Sequence, residues 1–169
     1  MTGRPGVGKT TLIRKLAKRL AAHQPAGFFT EEIRDAQGAR EGFRLVTLDG
    51  RQLVLAHVHH PGPSRVGRYG VDVTRFERLL ENLDLRHAQS QLVIIDEIGK
   101  MECFSQRFTN DVTDLLSSPK MLIATIAMRG EGFISQVKSR SDCRLVTVTR
   151  ENRDSLAHEL LRDVLDQLR

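Results

Sequence analysis

Gly3-Arg4-Pro5-Gly6-Val7-Gly8-Lys9-Thr10 carries the pattern G-x-x-x-x-G-K-T, and its reading decides the fold. Glycines let a backbone turn tightly and approach a polyphosphate, so that successive N–H groups point at its oxygens. In this pattern Lys9 reaches the β- and γ-phosphates, and the Thr10 hydroxyl ligates a Mg²⁺ bridging them. Leu12, Ile13, Leu16, Ala17 and Leu20 follow at helical spacing, with Arg14, Lys15, Lys18 and Arg19 on the other face. The loop therefore opens a helix, whose positive dipole end adds to the cradle. Such a loop normally follows a buried strand. Only Met1 and Thr2 precede Gly3, so the first strand is expected to be missing at the N-terminus.

Leu92-Val93-Ile94-Ile95-Asp96-Glu97 is the second informative stretch. A short apolar run ending in Asp reads as a strand buried on both faces, its carboxylate emerging where open α/β sheets bind ligands. Asp96 then holds the Mg²⁺ through its water shell, and Glu97 is placed to act as general base toward water. Alone, this would be an ordinary core strand; together with the phosphate loop it points to nucleotide hydrolysis or transfer.

Around these two stretches the chain divides into two styles. Phe28–Arg34, Gly42–Leu48 and Gln52–Val58 are β-prone runs joined by short turns, which predicts an antiparallel meander. Thr30, Glu31 and Glu32 either face a metal or substrate amine, or pair with Arg34 or Arg44 at the surface. His57, His59 and His60 lie beside Pro61-Gly62-Pro63, a loop setting that gives a metal little support. Thr74 with Glu77 reads as a capping box opening a helix over Phe76, Leu79, Leu80 and Leu83. From residue 92 onward strands and helices alternate. A helix from Ser105 carries Phe108, Val112, Leu115 and Leu116, and Met121–Ile126 is a buried strand with Thr125 as a candidate γ-phosphate contact. Arg129 lies in a loop as a candidate charge stabiliser, and Phe133, Ile134 and Val137 mark a short helix. Leu145–Thr149 reads as a strand, followed by a helix with Leu156, Leu160, Leu161, Val164, Leu165 and Leu168 on its buried stripe. The expected fold is α/β, a single domain over 1–169, with a mainly parallel sheet flanked by helices and an inserted antiparallel meander.

The composition of 169 residues, 40% hydrophobic and 28% charged, is that of a globular domain. The net charge of +5 suits an anionic ligand. Its basic residues are dispersed, and one Tyr and no Trp offer little for base stacking, so nucleic acid stays open as a partner without being indicated. Cys103 and Cys143 lack metal or disulfide spacing and read as reduced thiols of a cytoplasmic protein. No apolar run has the length of a membrane span.

Taken in order, GRPGVGKTTL, GFFTEEIR, GFRLVTLDG, VGRYGVDV, IIDEIGKME and VTRENRD resemble the small P-loop nucleoside triphosphatases, the family that includes the cancer-related nucleoside triphosphatase. The resemblance covers nearly the whole chain. It implies Mg²⁺-dependent hydrolysis of ATP, GTP and other nucleoside triphosphates to the diphosphate and phosphate; apart from the resemblance, a monomer is expected. The resemblance also implies a nucleotide-kinase-related fold with an extra strand between the phosphate loop and the acidic strand. By this resemblance the nucleotide is held by Gly3, Arg4, Pro5, Gly6, Val7, Gly8, Lys9, Thr10 and Thr11 and by Asp96, Glu97, Ile98, Gly99 and Lys100, with Glu97 as catalytic base. Asn152 and Arg153 approach the base or ribose. A small-molecule kinase on the same cradle is the alternative, although Arg129 and Arg140 are thin material for a kinase lid. A nucleotide-dependent binding module with slow hydrolysis is a third reading, against which the water-activating Glu97 speaks.

Overall fold

Strand β6 (Leu92–Ile98) is apolar on both sides because it is covered on both sides. Leu92 and Ile94 face one core, with Leu12, Ile13, Leu16 and Leu20 of helix α1 (Lys9–Arg19) and Leu156 and Val164 of α5 (Arg153–Gln167). Val93 and Ile95 face the other, with Phe76 and Leu80 of α2 (Val73–Leu83), Phe108 and Val112 of α3 (Gln106–Leu116), and Ile134 of α4 (Phe133–Ser139). The structure, a computed structural model, describes residues 1–168.

The sheet runs β4-β5-β3-β2-β1-β6-β7. The meander comprises β1 (Ala26–Arg34), β2 (Arg40–Thr47) and β3 (Gln52–His57), extended by the short β5 (Tyr69–Val71) and β4 (Arg65–Val66). It is not an appendage. Its first strand pairs in parallel with β6, and β6 pairs in parallel with β7 (Met121–Ile126). Gly27 permits that junction, since a Cβ there would lie 1.8 Å from the Ile94 carbonyl oxygen. Phe28 of β1 then packs edge-on to Phe76 at 6.0 Å between ring centroids.

Beyond β7 only Met1 and Thr2 continue the sheet among the described residues. Met1 and Thr2 do the work of a strand for two residues. The Met1 amine donates to Ala124 O at 2.7 Å, and Ile126 N donates back to Met1 O at 2.8 Å. On the far side Thr2 N donates to Val146 O at 2.8 Å, and Val148 N to Thr2 O at 2.7 Å. Below Met1 the strand's track is a cleft of about 460 Å³ between Met121–Ala124 and Asp142–Val146. This explains a correction: Leu145–Thr149 does not form a strand but touches the sheet through one parallel bridge, Thr2 to Thr147. A segment needs a partner to be a strand, and here the partner is two residues long. Leu160 of α5, which lines the cleft, is only half-buried, as are Leu161 and Leu165.

Two helix starts also sharpen the expectation. Ser105 caps α3, accepting from Phe108 N at 3.0 Å. The capping box at Thr74 and Glu77 does not form. Asp72 caps α2 instead, accepting from Arg75 N at 3.0 Å, and Glu77 accepts the Ser105 hydroxyl at 2.8 Å.

Candidate active site

Gly8 ends the loop in the left-handed region (φ 106°), a conformation that costs a residue with a Cβ, and α1 begins at the next residue. No side chain caps the first turn of α1, so its N–H groups remain directed at the loop. Lys9 is mostly buried and donates to Gly3 O at 3.2 Å. Its Nζ also lies 3.7 Å from Glu97 Oε2, so the loop and the acidic strand meet at this pair. Arg4, Pro5 and Gly6 are exposed along the loop, and in the first turn of α1 Thr10 is half-buried and Thr11 exposed.

The acidic strand is shaped for this meeting. The β6–β7 ladder pairs Ile95 with Ala124 and resumes with Ile98 against Ile126, leaving one extra residue on β6 between them. A bulge of this kind re-aims side chains, and Asp96 and Glu97 occupy it. Asp96 is 1% exposed. One carboxylate oxygen accepts the Thr125 hydroxyl, its backbone carbonyl accepts Thr30 Oγ1 at 2.5 Å, and Oδ2 is buried with no partner. Thr125 is fully buried and spent on Asp96, so it orients that carboxylate and does not reach outward as a phosphate contact. Glu97 is partly exposed. Burial pushes its pKa above the ordinary carboxylate value, Lys9 opposes the shift, and Asp96 reinforces it.

Among the described residues no group of three or more His, Cys, Asp or Glu is arranged to hold a metal, the His57–His60 segment included. What is present, the orphan Oδ2 of Asp96 and a loop hydroxyl at Thr10, fits a hard cation that takes few protein oxygens.

The other candidates separate. Ile98 is buried in the core, and Gly99 and Lys100 form the turn after Glu97. Glu31 pairs with Arg14 at 3.1 Å and Arg44 at 2.8 Å, and Glu32 with Arg34 and Arg40, which is the surface reading of these carboxylates. Arg129 is exposed, and Arg140 is paired with Asp142. The Asn152 amide is spent on its own turn, accepting from Thr149 N at 2.8 Å and donating to Thr147 O at 2.9 Å. Arg153 does come to the loop: its Nη1 lies 3.3 Å from where a Cβ on Gly8 would stand.

Two features were invisible in the sequence. Thr30 ties β1 to the Asp96 backbone from another strand. Glu102 is 5% exposed, beside the Gly99 turn. Its local signal was only a charge set among Met101, Cys103 and Phe104.

Known proteins are similar to this chain over most of its length. The family profile described as NTPase matches residues 1–161. A nucleoside-triphosphatase THEP1 of Thermotoga sp. (strain RQ2) is 42% identical over 162 residues, spanning 95% of this chain and 91% of that one. The Homo sapiens cancer-related nucleoside-triphosphatase is 42% identical over 177 residues, spanning 95% and 93%. The crystal structure of THEP1 from Aquifex aeolicus superposes with a TM-score of 0.82 at 36% identity, over 94% of each chain. The solution structure of the human cancer-related nucleoside triphosphatase gives 0.79 at 39%, over 96% of this chain and 94% of that one. Profile, relatives and fold agree: this chain belongs to the NTPase family.

Proposed function

We propose that the chain is a hydrolase of nucleoside triphosphates, ATP and GTP among them, releasing the diphosphate and phosphate with Mg²⁺ as cofactor. The observation that carries this reading is the 3.7 Å approach of Lys9 Nζ to Glu97 Oε2, with the unpartnered Asp96 Oδ2 on the adjoining residue. Loop cation, water-activating carboxylate and metal-holding carboxylate converge at one sheet edge.

In this mechanism the loop N–H groups and Lys9 bind the β- and γ-phosphates and neutralise charge as the terminal bond stretches. Thr10 and Asp96 would hold Mg²⁺, which when bound would draw charge from the phosphate oxygens. Glu97 orients a water and takes its proton as the water oxygen attacks the γ-phosphorus. The bond from phosphorus to the β–γ bridging oxygen breaks, and the electron pair leaves on the diphosphate. The raised proton affinity of Glu97 favours that transfer. In this reading Arg153, whose Nη1 lies beside Gly8, contacts the nucleotide. The unpaired thiols Cys103 and Cys143 suit a reducing compartment such as the cytoplasm. No helix is long and apolar enough to cross a membrane among the described residues.

The test is phosphate release from ATP and GTP with Mg²⁺, with and without nucleosides and nucleoside monophosphates, for wild type and Glu97→Gln. Glu97→Gln is expected to bind nucleotide and to turn over about 10²-fold more slowly. Phosphorylated acceptor with little free phosphate would instead make the protein a kinase.

A further inference from the structure

Glu102 has no role in the mechanism above, yet it is a deeply buried acid beside it, 5% exposed. No Lys, Arg or His lies within ion-pair distance of it among the described residues. Burial holds its pKa up at about 8, with Glu97 and Asp96 adding to the rise and the backbone at Glu102 and Gly99 opposing it. A buried carboxyl without a cation is expensive to keep, so its retention here calls for a physical reason.

The geometry supplies one. Glu97, Ile98 and Gly99 lead into a turn that closes where Cys103 N donates to Gly99 O at 3.1 Å. Glu102 lies in that turn and folds back over Gly99: Oε2 is 2.8 Å from the point where a Cβ on Gly99 would stand. Glu97 Oε1 lies 3.2 Å from the same point. The two carboxyl groups therefore flank the empty side of one glycine, within about 6 Å of each other. Glu97 has several rotatable bonds and is partly exposed, so something must keep it from turning into that space. Glu102 fills it.

We propose that Glu102 is a positioning residue of the reaction: its buried carboxyl, folded over Gly99, fixes the turn after Glu97 and holds the Glu97 carboxylate toward Lys9. This rests on the hydrolase reading and deepens it. A base displaced by about 1 Å loses on the order of 10²-fold in rate while the phosphate cradle is untouched. The neutral amide of Gln has the same shape and acceptor, so it preserves the arrangement.

The experiment measures kcat and KM for MgATP, and melting temperature, in wild type, Glu97→Gln, Glu102→Gln, Glu102→Ala and Gly99→Ala. Glu102→Ala is expected to lower kcat about tenfold or more with KM within about twofold. Glu102→Gln is expected to stay within about twofold of wild type in both. Gly99→Ala, which retains Glu102 but wedges a methyl between the carboxyl groups, is expected to repeat the kcat loss, and it serves if Glu102→Ala does not fold. Wild-type kcat in Glu102→Ala or in Gly99→Ala would overturn the inference, as would a Gln variant as slow as the Ala variant. With Glu97→Gln slow, such a result leaves the hydrolase reading intact. Full turnover in Glu97→Gln would remove the base, and Glu102's role with it.

Discussion

At the scale of single residues, the site combines groups whose environments differ sharply within a few ångströms. Lys9 is nearly buried, held by a carbonyl and a carboxylate, and so enters binding already oriented. In the proposed mechanism, removing it leaves the phosphate chain without its nearest cation. Lys9→Ala is expected to weaken MgATP binding about tenfold to a hundredfold, read by calorimetric titration, because hydrogen bonds to charged groups contribute about 1.5–3 kcal/mol each. Unchanged affinity would show that Lys9 does not touch the phosphates. Glu102 offers a second residue-scale measurement, on stability. Its folded pKa of about 8 lies above the ordinary 4.5, so between those values the native state binds more protons than the unfolded chain. Its contribution to stability is therefore present at acid pH and is lost as pH rises toward 8. The Met1 amine works in the opposite sense: burial lowers its pKa from 8.0 to about 6, so stability from that group falls as pH drops through this window. Comparing wild type with Glu102→Gln separates the two. The variant is expected to lose less stability than wild type between about pH 5 and pH 8 in urea titrations. Parallel curves would mean that Glu102 is ionised in the fold.

At the scale of elements, capping places the helices that back the site. Ser105 both caps α3 and donates to Glu77 of α2, and it lies three residues after Glu102. Ser105→Ala is expected to cost about 1–2 kcal/mol in denaturant unfolding. Thr74→Ala, at an exposed position that does not cap, is expected to cost under about 0.5 kcal/mol. Equal losses would restore the capping-box reading of α2. The local pattern S/T-x-x-E was present at Thr74, but Asp72 offered a stronger acceptor two residues earlier, and Glu77 was claimed by another helix. Which of several local partners wins is a tertiary matter.

At the scale of the whole molecule, the sheet is continuous from β4 to β7 and then passes through two residues to reach the segment at Val146–Val148. By the alternation of a strand, Leu122 and Ala124 direct backbone groups into the cleft below Met1, and Leu115, Leu122, Ile123 and Val164 line it with apolar side chains. Adding about five apolar β-prone residues before Met1 is expected to raise the melting temperature, by pairing those groups and by removing the buried amine. An unchanged melting temperature would mean that the cleft does not accept a strand.

The amino-acid sequence by itself determined whatever depends on local order. The phosphate loop and its helix, the buried runs at Leu92–Ile95 and Met121–Ile126, and the meander could all be read because glycine spacing and apolar periodicity are written along the chain. The Lys9, Asp96 and Glu97 candidates came from the same source. Only the tertiary structure decided what depends on neighbours distant in sequence. Strand formation requires a partner, so Leu145–Thr149 became a single bridge. Burial requires a surrounding shell, so Thr125 turned to Asp96 and Glu102 disappeared beneath Gly99. A hydrogen bond or a shifted pKa is a property of two or more groups in contact, and the chain reveals such contacts only when it is folded.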